Sequence, residues 1–530
     1  MKSCSFKASE NVDLIGSSLP LQLQEDSPSL SGGTMVDDPR HRLLEGRPAM
    51  TRAKAEFRRL APNGKGRVLA GRLAAVLLGA LALAWPAFYN GFPLLYADSM
   101  TYLGDGPIVA RALFLHRFSD YYGLRSFFYS LGILPWHWNI TPWPIVALQC
   151  FLVAYVVWLV VRSISPLRPV ACYLTLVLPL SLLTSASWYA AFIMPDILGP
   201  VLYLCIYLLA FARDTLSRAE RLALYLIAFW GITAHATHFL LAAGLCVLLA
   251  VSAAFERKPS PGRFRAVGEV AAIVALAAAA QMALHGYLYG KPSLNGERPP
   301  YLMARVTADG PGRWYLEQHC PQLHWSVCNH LGALTSDPDD FLWAPDGVYD
   351  SSSSAERAQI DREEMPLVLA AVRAYPREQL LKSASNFRDQ LLAFGLYGFD
   401  SSPWILDQFN DVLPTARSSY LESREARDAL PLDLLSDIQW WTVVASLGAI
   451  GILIPFLWRR HSKRLAGLSL VIVTMVVANA MVTGVLSDVE DRYECRVIWL
   501  IPFLAGIFLL DALQQRGTRK RIAALSPEER

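Results

Sequence analysis

The sequence predicts an all-α membrane protein of about ten transmembrane helices, with a mainly helical soluble domain in the loop between spans seven and eight. Three observations carry that prediction. Apolar residues make up 53% of the chain and charged residues 18%, below the roughly 25% typical of soluble domains. Ten apolar stretches recur, at about 73–90, 143–161, 170–187, 197–212, 222–236, 238–255, 267–289, 438–458, 465–486 and 496–514. Finally, Lys and Arg collect in every second segment between them.

The elements follow in order. Residues 1–66 are polar, Ser-rich at first and basic later, and read as a disordered cytoplasmic tail with no signal peptide. Met35 and Met50 are alternative starts within it. Seven spans and their loops fill 67–289, the soluble loop domain 290–437, the last three spans 438–514, and a second tail 515–530. Several spans fall near or below the ~20 residues that cross a bilayer. The coupled pairs 170–212 and 222–255 therefore also fit tilted or re-entrant hairpins.

Charge fixes the sides. Arg58, Arg59, Lys65, Arg67 and Arg72 precede span one, and Arg162 and Arg168 follow span two. Arg213, Arg218 and Arg221 follow span four, while Arg257, Lys258, Arg263 and Arg265 follow span six. Arg459, Arg460, Lys463 and Arg464 follow span eight, and Arg516, Arg519, Lys520 and Arg521 close the chain. Every cluster sits at an even crossing, as the positive-inside rule requires when both termini are cytoplasmic. The expected location is the inner (plasma) membrane, with the other loops exported.

The first exported loop, 91–142, is rich in aromatics and repeats apolar residues at helical spacing (Val109, Leu113, Leu124, Phe128, Leu131), which predicts interfacial amphipathic helices. In the long loop, 355–395 reads as two helices broken near Pro376. Cys150, Cys172, Cys205 and Cys246 lie in apolar spans and read as core packing. Cys320 and Cys328, well inside the exported loop, are a candidate disulfide. A metal site built from them with His319 and His330 is a weaker alternative, because exported thiols usually oxidise.

On this topology Asp98, Asp196, His235, His238, Asp488, Glu490, Asp491 and Arg492 all reach the exported face. Polar chemistry gathered at one membrane surface points to an enzyme working there and away from a transporter with a mid-membrane site. Asp98 lies in Asn90-Gly-Phe-Pro-Leu-Leu-Tyr-Ala-Asp98-Ser-Met-Thr-Tyr102, directly after span one. A carboxylate there, walled by aromatics, is partly desolvated and placed to act as a general base; it could equally cap a helix. Asp196 is the one charge in about forty apolar residues, so it reads as a binding group or as the cap of span four. His235 and His238 flank a tight turn, suited to holding an anionic group or orienting a carboxylate, or merely amphipathic at the interface. Arg492, Tyr493 and Arg496 open the last span. Two arginines beside an aromatic suit a lipid phosphate, against the alternatives of snorkelling anchors or an ion-pair network with Asp488, Glu490 and Asp491.

No Walker loop, GxSxG elbow, HExxH or dinucleotide fingerprint occurs in suitable context. An exported enzyme without nucleotide chemistry must take an activated substrate already borne by the membrane. In the order and sidedness of its motifs the chain resembles the GT-C superfamily of membrane glycosyltransferases, which includes lipid A aminoarabinose transferases and protein O-mannosyltransferases. The matching features are Asp98 directly after span one, Arg125-Ser-Phe-Phe-Tyr129 leading to span two, and Asp196 at the exported end of a middle span. Arg492-Tyr493, leading into a late span with Pro502 behind it, completes the set. The resemblance covers about 70–514 without the large loop.

That resemblance implies a GT-C-like fold and inverting transfer of a sugar from a polyprenyl phosphate to an acceptor on the exported face. It implies Asp98 as the base toward the acceptor hydroxyl, Arg492 and Arg125 as phosphate ligands, and Asp196 as a ligand of acceptor or sugar hydroxyls. The implied partners are a polyprenyl-phosphate-linked sugar, a lipid or glycan acceptor and membrane lipids, with no nucleic acid. Many members pair two acids where this chain has Asp98-Ser99, so no cofactor is firmly implied and a divalent cation stays open. Several members also carry their soluble domain at the C-terminus, unlike the 290–437 loop, which here reads as an acceptor-positioning lid. The alternatives are a polymerase or ligase of lipid-linked glycans working through Arg305 or Arg313, a transporter or flippase, and a non-catalytic envelope scaffold.

Overall fold

The computed structural model describes residues 64–119, 125–255, 261–296, 298–399, 402–458 and 462–524, without the side chains of 64, 65, 261, 456–458 and 516–524. The tail read at 1–66, with Met35 and Met50, lies outside the described residues apart from its last three. The described residues from 67 onward form one compact unit. Among the described residues the fold is entirely helical, and strand-like pairing is confined to one bridge between Leu94 and Phe192.

Among the described residues seven helices are long and apolar enough to cross a membrane: Gly66–Asn90, Trp143–Ile164, Ala236–Ala254, Gly262–Tyr289, Leu432–Pro455, Lys463–Leu486 and Asp491–Gln515. Two shorter apolar helices, Pro169–Leu183 and Pro195–Phe211, and the Arg218–Ala234 helix occupy the remaining three predicted positions. The shortness of the Leu198–Phe211 helix has a packing reason. It is apolar on all sides and buried from Leu198 to Leu209, enclosed by the 143–164, 218–234, 261–289 and 463–486 helices. A helix shielded from lipid need not match the bilayer thickness.

The long loop divides into two bodies. Residues 301–367 build their own small core from Met303, Leu316, Val327, Phe341, Leu342, Ile360 and Leu367. Within that half Cys320 and Cys328 are disulfide-bonded, their Cα atoms 5.5 Å apart. Two helices, Ser354–Ala374 and Pro376–Leu392, meet at the predicted break, where Pro376 cannot continue the first. From there the chain turns back onto the bundle. Phe394, Phe399, Phe409 and Tyr420 join the main core, with Phe399 edge-on to Phe192 at 4.9 Å.

Glu425 fastens this return. Fully buried, it accepts the Leu95 N–H at 3.0 Å and the Asn90 side-chain amide at 3.3 Å, while the Asn90 side-chain carbonyl accepts the Glu425 N–H at 2.8 Å. The long loop is thereby tied to the segment leading to Asp98. Replacing Glu425 with Ala strands buried donors, which typically costs about 1–3 kcal/mol. Thermal unfolding of the detergent-purified protein should therefore show a lowered midpoint for Glu425→Ala and an unchanged one for Glu422→Ala, an exposed neighbour.

Candidate functional site

Two backbone contacts bring the two predicted aspartates together. The Leu94 N–H donates to the Ala191 carbonyl at 3.2 Å, and the Ile193 N–H donates to the Leu94 carbonyl at 3.0 Å. The chain just before Asp98 is thus stitched to the chain just before Asp196.

Neither aspartate is a helix cap. In the first turn of the Ala97–Leu115 helix it is the Ser99 hydroxyl that accepts the Tyr96 N–H, at 2.8 Å. Asp98 is left to face two guanidiniums. Its Oδ1 accepts a 2.6 Å bond from Arg125, and its Oδ2 lies 4.0 Å from Nη1 of Arg492. Asp196 sits in a 3-10 turn with no capping bond and accepts from Nη1 of Arg496 at 3.3 Å.

Arg492 and Arg496 share one face of the last membrane helix because they are four residues apart. Arg492 lies over the rings of Tyr96, at 4.2 Å, and Tyr493, at 5.1 Å. Its Nη1 makes no hydrogen bond among the described residues. Arg496 is fully buried and donates through Nη2 to Asn479, at 2.9 Å, and to Thr237, at 3.2 Å. Asn479 also donates to the Tyr493 carbonyl and to Glu494, which fixes the start of that helix.

The long loop contributes two aromatics. Arg125 donates to the Tyr301 hydroxyl at 3.2 Å, and its guanidinium carbon lies 5.7 Å from the centre of the Trp343 ring. Sequence reasoning missed both, since no motif surrounds them. Arg496, read from the sequence with Arg492 as one of two arginines suited to a lipid phosphate, is bonded instead to Asp196, Thr237 and Asn479. The histidines differ from expectation. His235 caps the Ala236–Ala254 helix, its Nδ1 accepting the Thr237 N–H at 3.2 Å. The fully buried His238 donates from Nδ1 to the Gly231 carbonyl at 2.9 Å, and its Nε2 packs against Gly199. Backbone groups engage Nδ1 of each ring, while Nε2 of His238 is buried without a hydrogen-bond partner among the described residues. The Thr237 hydroxyl joins His235, at 2.8 Å, to Arg496, at 3.2 Å.

The site therefore assembles Asp98, Arg125, Arg492, Tyr493, Asp196 and Arg496 under Tyr301 and Trp343. Such a site offers a carboxylate with one oxygen open and guanidinium donors with spare capacity, at the end of a membrane bundle. Oxygens that could hold a cation lie together elsewhere. Those of Asp339, Asp488 and Glu490 fall within 4.8 Å of one another, and Asp488 is already bonded to Arg305 at 3.0 Å. Burial, with the charges of Asp339 and Asp488 nearby, pushes the Glu490 carboxyl up to about 7. Burial together with Asp488 and Asp337 pushes Asp339 up to about 6.

No known protein family, curated protein or solved structure matches the chain.

The Glu490 shift has a stability consequence with a definite sign. Its carboxyl titrates near 7 in the folded state and near ~4.3 in an unfolded chain. The folded state alone holds the proton between those values, so this group makes stability fall as pH rises through that window. With chelator present, Glu490→Gln should raise the thermal midpoint at pH 8 and change little at pH 5. After discounting for partial exposure, the gain at pH 8 corresponds to roughly 1–2 kcal/mol.

Proposed function

We propose that the protein is a glycosyltransferase of GT-C-like arrangement that crosses the inner membrane about ten times. It moves a sugar from a polyprenyl-phosphate donor to a cell-envelope acceptor at the exported face. The observation that carries this reading is the pairing of Arg492 and Asp98. A guanidinium held over two tyrosine rings keeps Nη1, which makes no hydrogen bond among the described residues, 4.0 Å from Oδ2 of Asp98.

The chemistry follows from what each group has left to give. Arg125 binds Asp98 through Oδ1, which orients the carboxylate and leaves Oδ2 for an acceptor hydroxyl. Arg492 presents Nη1 toward the same spot, where a donor phosphate would sit. Acceptor oxygen and anomeric carbon are then brought together in line. The new carbon–oxygen bond forms as the bond from carbon to phosphate oxygen breaks. The acceptor proton passes to Asp98, and the electron pair leaves with the phosphate, whose charge Arg492 and Arg125 neutralise. Asp196, anchored by Arg496, supplies a carboxylate for sugar or acceptor hydroxyls. Tyr301 and Trp343 would close the site from above, in keeping with the lid expected of the long loop.

The alternative readings find less support. The polymerase or ligase reading puts Arg305 or Arg313 to work. Arg305 is committed to Asp309, at 2.7 Å, and Asp488, while Arg313 pairs with Glu317 at 2.8 Å. For a transporter or flippase, the centres of the predicted spans lack Asp, Glu, Lys and Arg, and Gln281 with His285 is the nearest exception. These donate to the Thr233 and Ser293 carbonyls, at 3.0 and 2.7 Å, as helix-end polar groups do.

The test is mass spectrometry of envelope lipids and glycans from a strain lacking the gene, complemented with wild type or single variants. Wild type should restore a glycan heavier by one sugar, and membrane-inserted Asp98→Asn should not, its rate falling by roughly 10²–10⁴. Arg492→Gln should act mainly on KM for the lipid donor, while Arg313→Gln should complement. Full complementation by Asp98→Asn with failure of Arg313→Gln would overturn the proposal in favour of the polymerase or ligase.

A further inference from the structure

The segment that carries Asp196 to the site is not helical where it passes the approach to Asp98. Between the Ala186–Ala190 helix and the turn Pro195–Ile197 the backbone pairs with Leu94 as a single bridge. The stretch 190–193 is fully buried, so its polar groups need partners that no helix provides. Leu94 serves one edge, taking the Ile193 N–H at 3.0 Å and giving its own N–H to the Ala191 carbonyl at 3.2 Å. The other edge presents the carbonyls of Ala190 and Phe192. Both accept from the side-chain amide of Gln149, at 3.2 and 2.7 Å.

Gln149 is the single amide side chain of the Trp143–Ile164 helix and is itself fully buried. Its Oε1 accepts the Tyr129 hydroxyl at 2.7 Å. Tyr129 lies in the first turn of the Phe127–His137 helix, four residues on from Arg125. The Tyr129 ring is edge-on to Tyr102 at 4.8 Å, and Tyr102 stands one turn along the helix from Asp98. Packing alone gives no reason for an amide here, since an apolar side chain would fill the space without desolvating a polar group. Nor do the carbonyls depend on it. Ala190 also meets the Cys150 thiol at 3.6 Å, and Phe192 also accepts the Met194 N–H at 2.8 Å. What Gln149 adds is the connection between segments.

We propose that Gln149 is a positioning residue that sets Asp98, Arg125 and Asp196 in register from behind the site. Arg125 is reached through Tyr129, Asp196 through the 190–193 stretch, and Asp98 through Leu94, which that stretch holds. Gln149 touches no substrate, and its role rests on the reading of those three residues as the working groups of a sugar transfer. Arg492 lies outside this network and takes its place from Arg496 and the long loop.

The experiment uses the full-length protein with Gln149→Met, which keeps the length of the side chain and removes its donors. In hydrogen–deuterium exchange the Leu94 and Ile193 amides should exchange about five-fold faster, the weight of one lost buried hydrogen bond. The 301–367 core, which packs separately, should exchange as in wild type. In spheroplasts of a strain lacking the gene, formation of the glycan heavier by one sugar should slow roughly 10²-fold, the scale of a misplacement of about 1 Å. Farnesyl phosphate, competing for the donor's place at Arg492, should halve the remaining rate at the same concentration as for wild type. General loosening would not give that split. Unchanged exchange at Leu94 and Ile193 would overturn the inference, as would faster exchange across the whole protein alike or a wild-type rate of transfer. If wild type itself adds no sugar, the reading of the site falls, and the exchange arm alone decides whether Gln149 sets the register. Should Gln149→Met fail to insert, Tyr129→Phe replaces it, because it cuts one bond and spares both carbonyls. Exchange in the first turn of the 127–137 helix should then quicken while that at Ile193 does not, and an unaltered first turn would overturn the inference.

Discussion

A guanidinium with no exposure at all, buried between membrane helices, is the constraint around which the site is organised. Desolvating Arg496 is costly, and the cost is met only by partners drawn from three separate elements: Asp196, Thr237 and Asn479. Such a cluster adds little net stability over an apolar core, but breaking it leaves a charge stranded, a loss of about 3–5 kcal/mol. Its value is register. With Arg496 locked, the last helix cannot rotate or slide, and Arg492, one turn nearer the helix start, is delivered opposite Asp98. The same lock brings Asp196 to the site from the opposite wall.

The turn that precedes Arg492 is gripped from outside as well, by three different parts of the long loop. Arg305 holds the Asp488 carboxylate at 3.0 Å. Gln390, fully buried, uses both ends of its amide on the Glu490 backbone, accepting its N–H at 3.0 Å and donating to its carbonyl at 2.7 Å. The Gly395 N–H donates to Asp491 at 2.6 Å. Gly484 permits this grip, since a Cβ there would meet the Asn386 carbonyl at 2.7 Å. The loop thus reaches the site twice: directly through Tyr301 and Trp343, and indirectly by fixing the approach to Arg492. Of the three acids read as a possible ion-pair network, Asp488 pairs with Arg305, Asp491 accepts a backbone N–H and Glu490 is held through its backbone.

What the sequence made legible was whatever follows from apolar length and charge position. The ten apolar stretches fall on helices, seven of them, among the described residues, long and apolar enough to cross a membrane, because a run of apolar residues has few other ways to satisfy its backbone in lipid. Asp98, Asp196 and Arg492 stood out because a charge is conspicuous against such a background. Residues whose role is tertiary stayed hidden. Tyr301 and Trp343 belong to a loop without periodic signal, and nothing local says that they return over Arg125. His238 could not be placed from its neighbours in sequence either: the carbonyl of Gly231, seven residues back, takes its Nδ1, while its Nε2, without a hydrogen-bond partner among the described residues, fits the gap that Gly199 leaves. The division of the long loop escaped because Phe394, Phe399 and Phe409 are too scattered to form an apolar run, yet they pack into the main core.

One geometric fact connects the two polar ends of the molecule. The buried Leu198–Phe211 helix has 14 residues and so spans ~21 Å, against a hydrocarbon thickness of ~30 Å. Its neighbours of 22 and 24 residues reach about 33–36 Å. Asp196 precedes its first turn, while Phe211, Arg213 and Asp214 follow its last. The turn Pro195–Ile197 lengthens the short helix to Pro195–Phe211, and it still ends short of those neighbours on at least one side. Asp196 at its start is buried together with Arg496. A polar ligand reaching that depth from water would shed its hydration, whereas the prenyl-linked donor proposed above would already lie within the membrane.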